Sequence, residues 1–273
     1  MKSLLRFLGK VILLLACCYV VICVTVYFSQ GTLLYHPDPA MPSPQEAGMV
    51  NAEIVHLKTS DGENLVAWWI PPRASDKPVI LYLHGNGGNI SYRTGRFSQI
   101  IADGSGLLAL SWRGFGTSTG TPTEAGLMID ARTAYDYLKT RTTPDHIVLM
   151  GESLGTGIAV HLATEVPVNS IILDSAYSSI LDIAKTQFDW LPVSLLLRDQ
   201  YQAIAMAKSV RARVYQVHCV GDPLIPIRFA RALSAQFPNH ADLIEAPGGY
   251  HPVSAAALDA VLAEFREQYH PGT

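Results

Sequence analysis

A chain of 273 residues and 29.7 kDa has material for one large domain with a buried core plus an appendage, and little room for two equal domains. Charged residues make up only 16% against roughly 25% in an average soluble protein, while 49% are hydrophobic, an excess concentrated partly at the N-terminus. The formal net charge of −3 and pI near 6.3 provide no basic face for gripping phosphate backbones, so nucleic acid is not expected as a partner.

The first predicted element is the uncharged stretch VILLLACCYVVICVTVYF, Val11 to Phe28. As a helix it rises roughly 27 Å, close to the thickness of a bilayer core. Lys2, Arg6 and Lys10 precede it and no Lys or Arg follows before Lys58, a bias that places the N-terminus in the cytoplasm and the rest of a single-pass chain on the opposite face. Residues 1–30 are thus expected to form a signal-anchor transmembrane helix with a short cytoplasmic end. A cleaved signal peptide is the competing reading, weakened by the absence of an A-x-A-like site and by the length of the run. LLAC, ending at Cys17, resembles a lipoprotein signal, but the apolar run continues beyond it. Residues 31–49, rich in proline and small residues, read as a linker lifting the domain off the bilayer.

Residues 50–273 form the expected domain. Alternation on both sides of Asp61-Gly62 predicts a hairpin. PVILYLHG, GLLALSW, HIVLMG, NSIILDS and ARVYQVHCV are then short continuous apolar runs suited to strands buried on both faces, with helix-length segments between them. An antiparallel hairpin followed by strand–helix alternation implies an α/β fold: a mostly parallel central sheet with helices on both faces. Residues 176–210 interrupt the rhythm as an apolar, partly helical insert expected to cap the sheet. Its Phe188, Trp190, Leu191 and Leu195 to Leu197 are candidates either to line an acyl-binding pocket or to pack a small core of the cap itself. Three cysteines lie in the N-terminal apolar segment and only Cys219 in the domain, so no disulfide framework is expected. The scattered histidines offer no metal-binding spacing, and neither a metal nor a cofactor is expected.

The chemistry concentrates at VLMGESLGTGIAV, where an apolar strand turns directly into a helix through Gly151-Glu152-Ser153-Leu154-Gly155. A sharp strand-to-helix turn holds the serine in a strained conformation with its hydroxyl raised, and the glycines remove side chains that would collide with neighbouring backbone. The helix start directs N–H groups at any oxyanion formed above the serine. A serine nucleophile needs a base, itself oriented by a carboxylate. Downstream, strand-end GDPLIP supplies Asp222 and the loop GGYHP supplies His251, giving the chain order Ser, Asp, His of α/β-hydrolases. Upstream, His84-Gly85-Asn86 closes the third domain strand. The expected oxyanion donors are the backbone N–H groups of Asn86 and Leu154. Asp174, which ends the sixth strand, is the alternative acid. His84, His218 and Glu152 read as structural. RGFGTSTG lacks both dinucleotide spacing and a Walker lysine and reads as a tight loop.

The ordered set LYHP, HGNGGNIS, WRGFGTSTG, GESLGTGIA, LDSAYSSILDIA, LPVSLLLRD, GDPLIP and GGYHP resembles the Bem46-like and ABHD13/ABHD17-like membrane-anchored serine hydrolases of the α/β-hydrolase superfamily. The resemblance runs from Leu34 to the end of the chain. Two departures stand beside it, Cys219 in place of the usual glycine after the seventh-strand histidine, and Tyr250 before the histidine of the base loop. It implies a cofactor-independent hydrolase acting on an acyl ester, thioester or lipid-like substrate. Peptide or amide hydrolysis by the same residues is the enzymatic alternative, and a catalytically silent membrane-tethered binding module the non-enzymatic one.

Overall fold

The structure, a computed structural model, describes residues 2–271; Met1 and residues 272–273, at the extremities of the expected anchor and domain, lie outside it. The first element is a 33-residue helix, α1 (Lys2–Leu34), long and apolar enough to cross a membrane. The domain then opens with β1 (Glu53–Lys58) and β2 (Asn64–Ile70), antiparallel about the Asp61-Gly62 turn in the predicted place. Gly62 adopts φ +99°, a conformation that side chains disfavour.

The continuous apolar runs form β3 (Val79–Leu83), β4 (Gly106–Ser111), β5 (Ile147–Glu152), β6 (Ser170–Asp174) and β7 (Arg213–Cys219). A short strand not anticipated from the sequence, β8 (Ile244–Ala246), completes an eight-stranded sheet in the order β8-β7-β6-β5-β3-β4-β2-β1. Only β1 with β2 and β2 with β4 are antiparallel. Side chains alternate between the two faces along each strand, and both faces are covered, which is why the strand sequences are apolar without interruption. Leu81, Leu108, Leu149 and Ile171 face α3 (Glu124–Leu138) and α4 (Leu154–Glu165) in one core. Ile80, Ala109, Met150 and Ile172 belong to the other, against Phe97 of α2 (Thr94–Ile100) and Phe265 of α9 (Ala255–Gln268). The side-chain oxygens of Thr123 and Ser254 cap α3 and α9 by accepting from the amides of Gly126 and Ala257.

The connection after β3 leaves over one face of the sheet and that after β5 over the other, although the two strands are neighbours. Their carboxyl ends, with Leu83 beside Gly151, therefore flank a crevice at the topological switch point, where open α/β sheets bind ligands. The insert between β6 and β7 carries α5 (Ile180–Gln187), α6 (Val193–Leu196) and α7 (Ala203–Met206) above this end; α8 (Ile227–Ser234) follows β7.

The linker expected over 31–49 is not a free spacer. α1 continues to Leu34, and the chain beyond is docked on the domain, with Tyr35 and Met49 buried. The His36 amide donates to the Asn86 carbonyl at 2.8 Å, the Asp38 amide to that of Gly88 at 3.1 Å, and His36–Pro37 pairs in parallel with Gly87–Gly88. Asn89, fully buried, donates from Nδ2 to the carbonyls of Asp38 and Ala40, both at 3.0 Å. Proline favours extended backbone in either case, so composition alone does not distinguish a solvated linker from an extended strap. Replacing Asn89 with alanine leaves those carbonyls without their donor. It is expected to lower stability by about 2 kcal/mol in urea titration and to open residues 38–49 to limited proteolysis; an unchanged cleavage pattern would show that the strap is held elsewhere.

Candidate active site

β5 passes into α4 with one residue between them. That residue, Ser153, has φ 50° and ψ −117°, a sparsely populated conformation for any side chain. The turn is held by the Ser153 amide, which donates to the Asp174 carbonyl at 2.9 Å. The glycines are there for want of space: a Cβ on Gly155 would fall deep inside contact distance of the Leu83 carbonyl oxygen, and one on Gly151 would stand 2.6 Å from the Gly155 carbonyl oxygen. Gly157 meets Tyr177, whose hydroxyl donates to the Leu154 carbonyl at 3.0 Å.

The residues singled out in sequence meet at this turn. Ser153 Oγ lies 2.7 Å from His251 Nε2, and His251 Nδ1 lies 2.7 Å from Asp222 Oδ2. The other carboxylate oxygen of Asp222 accepts the amides of Leu224 at 2.8 Å and Ile225 at 2.9 Å. Burial pushes the Asp222 carboxyl up, but the hydrogen bonds from His251 and the Ile225 amide outweigh it and hold the group below its ordinary value. His218 Nε2 donates to the Ile225 carbonyl at 2.8 Å and lies 3.6 Å from Asp222; burial lowers its pKa and keeps it neutral. Asp174, the alternative acid, is engaged elsewhere, by Arg96, by the Val253 amide at 3.2 Å and by Ser175 Oγ at 2.9 Å.

Glu152 points beneath the turn. It accepts from Tyr82, from Arg93 at 2.9 Å and from the Gly85 amide at 3.3 Å, and lies 3.5 Å from Arg96. Burial raises its pKa, yet Arg93 and Arg96 overcompensate and bring it to about 2. Burial lowers His84 to about 3; its Nδ1 donates to the Gly85 carbonyl at 2.7 Å. Arg93, Arg96 and Tyr82 were not identified from sequence, since partners 59 to 78 residues apart leave no local pattern.

Asn86 and Leu154 line one cavity together with Ser153 and His251. Leu154 opens α4, whose first N–H groups have no carbonyl partner within the helix. Asn86 is tied back through its carbonyl and through Nδ2, which donates to the Leu34 carbonyl at 2.7 Å, while its own amide donates to no atom among the described residues. The cavity, about 430 Å³, is mostly apolar. Phe188, Leu191, Leu196 and Leu197 of the insert line it, whereas Trp190 and Leu195 stand outside. Val26, Gln30, Leu33 and Leu34 of α1 form another wall, a contribution that sequence reading missed. A larger cavity of about 810 Å³ lies around Pro167, Ser170 and Arg213, at the amino ends of the strands and remote from this turn. Among the described residues no group of three or more His, Cys, Asp or Glu could hold a metal. A serine hydroxyl joined to an imidazole and a carboxylate, beside backbone donors in an apolar cavity, has the parts for nucleophilic attack on a carbonyl.

Comparison with known proteins agrees with this architecture. The alpha/beta hydrolase fold family matches residues 78–207. An uncharacterised protein of Mycobacterium tuberculosis strain H37Rv is 31% identical over 230 residues, covering 83% of this chain and 82% of that protein. The lysophosphatidylserine lipase ABHD12 of Bos taurus is 28% identical, over 80% of this chain and 63% of its own length. The esterase Pf2001 of Pyrococcus furiosus has a similar fold, with a TM-score of 0.67 at 19% identity across 86% of this chain and 98% of its own.

The Glu152 pKa, depressed from 4.5 to about 2, makes its ionised form a source of stability that is complete above the ordinary carboxylate value and lost as pH falls toward 2. Glu152→Gln is therefore expected to be less stable than the parent at pH 7, by an amount on the order of a few kcal/mol. Its stability in urea should also decline less steeply from about pH 5 to pH 2. Parallel pH profiles for the two proteins would contradict that role.

Proposed function

Because the chain belongs to the α/β-hydrolase superfamily, with esterases and lipases among its relatives, we propose that it hydrolyses carboxylic ester or thioester bonds of acyl, lipid-like substrates through Ser153, His251 and Asp222. The observation that carries the reading is the chain of two 2.7 Å contacts from Asp222 through His251 to Ser153, ending in an apolar cavity. Ser153 Oγ attacks the carbonyl carbon as its proton passes to His251 Nε2. Asp222 holds the ring through Nδ1 and stabilises the imidazolium. The backbone N–H groups of Leu154 and Asn86 receive the negative charge on the carbonyl oxygen; one such donor is worth about 3 kcal/mol in the transition state. His251 then returns the proton to the leaving oxygen or sulfur. In the second half it takes a proton from water, which attacks the acyl-serine; the bond from the acyl carbon to Ser153 Oγ breaks, His251 returns the proton to Oγ, and the acid is released. All parts of this cycle come from the chain itself, without a cofactor.

Apolar lining favours an acyl chain over a polar peptide, and the lipase activity named for the ABHD12 relative points the same way. The ordered motifs from Leu34 onward support a finer position among the Bem46-like and ABHD13/ABHD17-like serine hydrolases. α1 serves as a single-pass anchor, with Lys2, Arg6 and Lys10 on the cytoplasmic side and the hydrolase domain on the other.

Labelling with a fluorophosphonate probe tests the nucleophile: an adduct is expected on Ser153, absent in Ser153→Ala and nearly absent in His251→Ala. On chromogenic acyl esters both variants should lose roughly six orders of magnitude in kcat, and Asp222→Asn roughly four. No adduct in folded wild-type protein would move the binding-module reading forward, and faster turnover of peptide amides than of esters would make the enzyme an amidase.

A further inference from the structure

The apolar side chains of the insert divide into two sets. Phe188, Leu191, Leu196 and Leu197 face the cavity, whereas Trp190 and Leu195 turn outward, 55% and 83% exposed. Large apolar groups exposed within one short segment are unfavourable in water and favourable against another apolar phase.

The neighbour of Trp190 identifies that phase. Tyr19 donates its hydroxyl to the Trp190 carbonyl at 3.0 Å, and the two rings are 6.4 Å apart. Tyr19 lies in the middle of the uncharged run of α1, nine residues before Phe28, about 13 Å along the helix axis. The insert thus descends beside the part of α1 that suits a bilayer, and surroundings that envelop α1 at that level envelop Trp190 as well. The carbonyl bonded by Tyr19 is one that hydrocarbon would otherwise leave unsatisfied.

The alignment is fixed further up. Gln30, only 7% exposed, donates from Nε2 to the Leu196 carbonyl at 3.1 Å and accepts the Arg198 amide at 2.7 Å. The Arg198 guanidinium lies over the Tyr27 ring at 5.3 Å. Between Phe188 and Leu197 the only charge is Asp189, and Lys185 and Arg198 bracket the segment. An apolar tip bracketed by cations matches acyl chains beneath phosphate headgroups.

We propose that residues 188–197 enter the acyl region of the leaflet on the domain side of the membrane, so that the cavity beside Ser153 opens between α1 and α5 into that leaflet and takes its acyl-ester substrate directly from the lipid phase. The inference rests on the hydrolase and anchor reading above and adds to it where the substrate comes from. Leu33 of α1 and Phe188 of the insert, both exposed members of the cavity wall, form the rim on that side.

Trp190 provides the probe, because Trp68, Trp69 and Trp112 are buried. The full-length protein is reconstituted in phosphatidylcholine vesicles with and without lipids brominated on their acyl chains, and the difference between wild type and Trp190→Phe isolates the Trp190 emission. At least half of that emission is expected to be quenched by the brominated chains, with little quenching by aqueous iodide. Quenching by iodide and not by bromine would overturn the proposal. Protection from both, with a dimer captured by cross-linking, would assign the patch to a second copy and overturn it equally.

The route is tested separately with the double variant Trp190→Ser/Leu195→Ser, whose side chains lie outside the cavity. Hydrolysis of a long-chain acyl ester embedded in the vesicles is expected to fall at least tenfold, while a water-soluble short-chain ester is cleaved within twofold of wild type. An equal fall on both esters, or none on either, would overturn the route. If the wild type cleaves neither ester, the hydrolase reading fails and the quenching result alone decides immersion.

Discussion

The backbone of α4 passes so close to the end of β3 that only a glycine fits at position 155, against the carbonyl of Leu83. Much of the site's geometry follows from that approach. It lets the helix begin immediately after β5, which forces Ser153 into its positive-φ turn and lifts the hydroxyl above the sheet. It also brings the free N–H groups of the helix start beside the loop that follows β3. Had α4 begun further away, the serine could relax and the two proposed oxyanion donors would separate.

A strained turn persists only where its surroundings over-determine it, and here a buried ionic lattice supplies the constraint. Glu152 joins Tyr82, Arg93, Arg96 and the Gly85 amide, and Arg96 continues to Asp174. Asp174 in turn accepts the Val253 amide through its carboxylate and the Ser153 amide through its carbonyl. The loops carrying Asn86 and His251 and the turn carrying Ser153 are thus fastened to one set of charges. Buried ions are tolerable when fully paired, and their directional bonds then specify position more than they add stability. This arrangement explains why Asp174, at the end of its strand, is a structural carboxylate while Asp222 faces His251.

The long apolar helix α1 and the pocket are not independent modules. α1 ends against the insert, and Gln30 bonds to the backbone on both sides of Leu197. The chain then continues as a strap along the loop after β3, with the Asn86 side chain bonded to the last carbonyl of α1. One continuous path of hydrogen bonds therefore links α1, one cavity wall and the loop carrying Asn86. Any tilt of α1 relative to the domain would change the shape of the cavity itself.

Features written into short contiguous stretches could be read from the sequence. Strands buried on both faces must be apolar throughout, so five of the sheet's strands announced themselves; Ser153 was marked by glycines, Asp222 by its place after a strand end, and His251 by the glycine-rich loop downstream of it. Three-residue β8 was too short to show a period. Arg93 and Arg96 gave no local sign of their carboxylate partners, and the prolines of 31–49 looked the same in a strap as in a spacer. The wall that α1 gives to the cavity depends on contacts such as Gln30 with Leu196, 166 residues apart. Local chemistry and periodicity are properties of the chain and survive in its sequence, whereas which distant surfaces meet is decided only when folding brings the helix, strap and insert together.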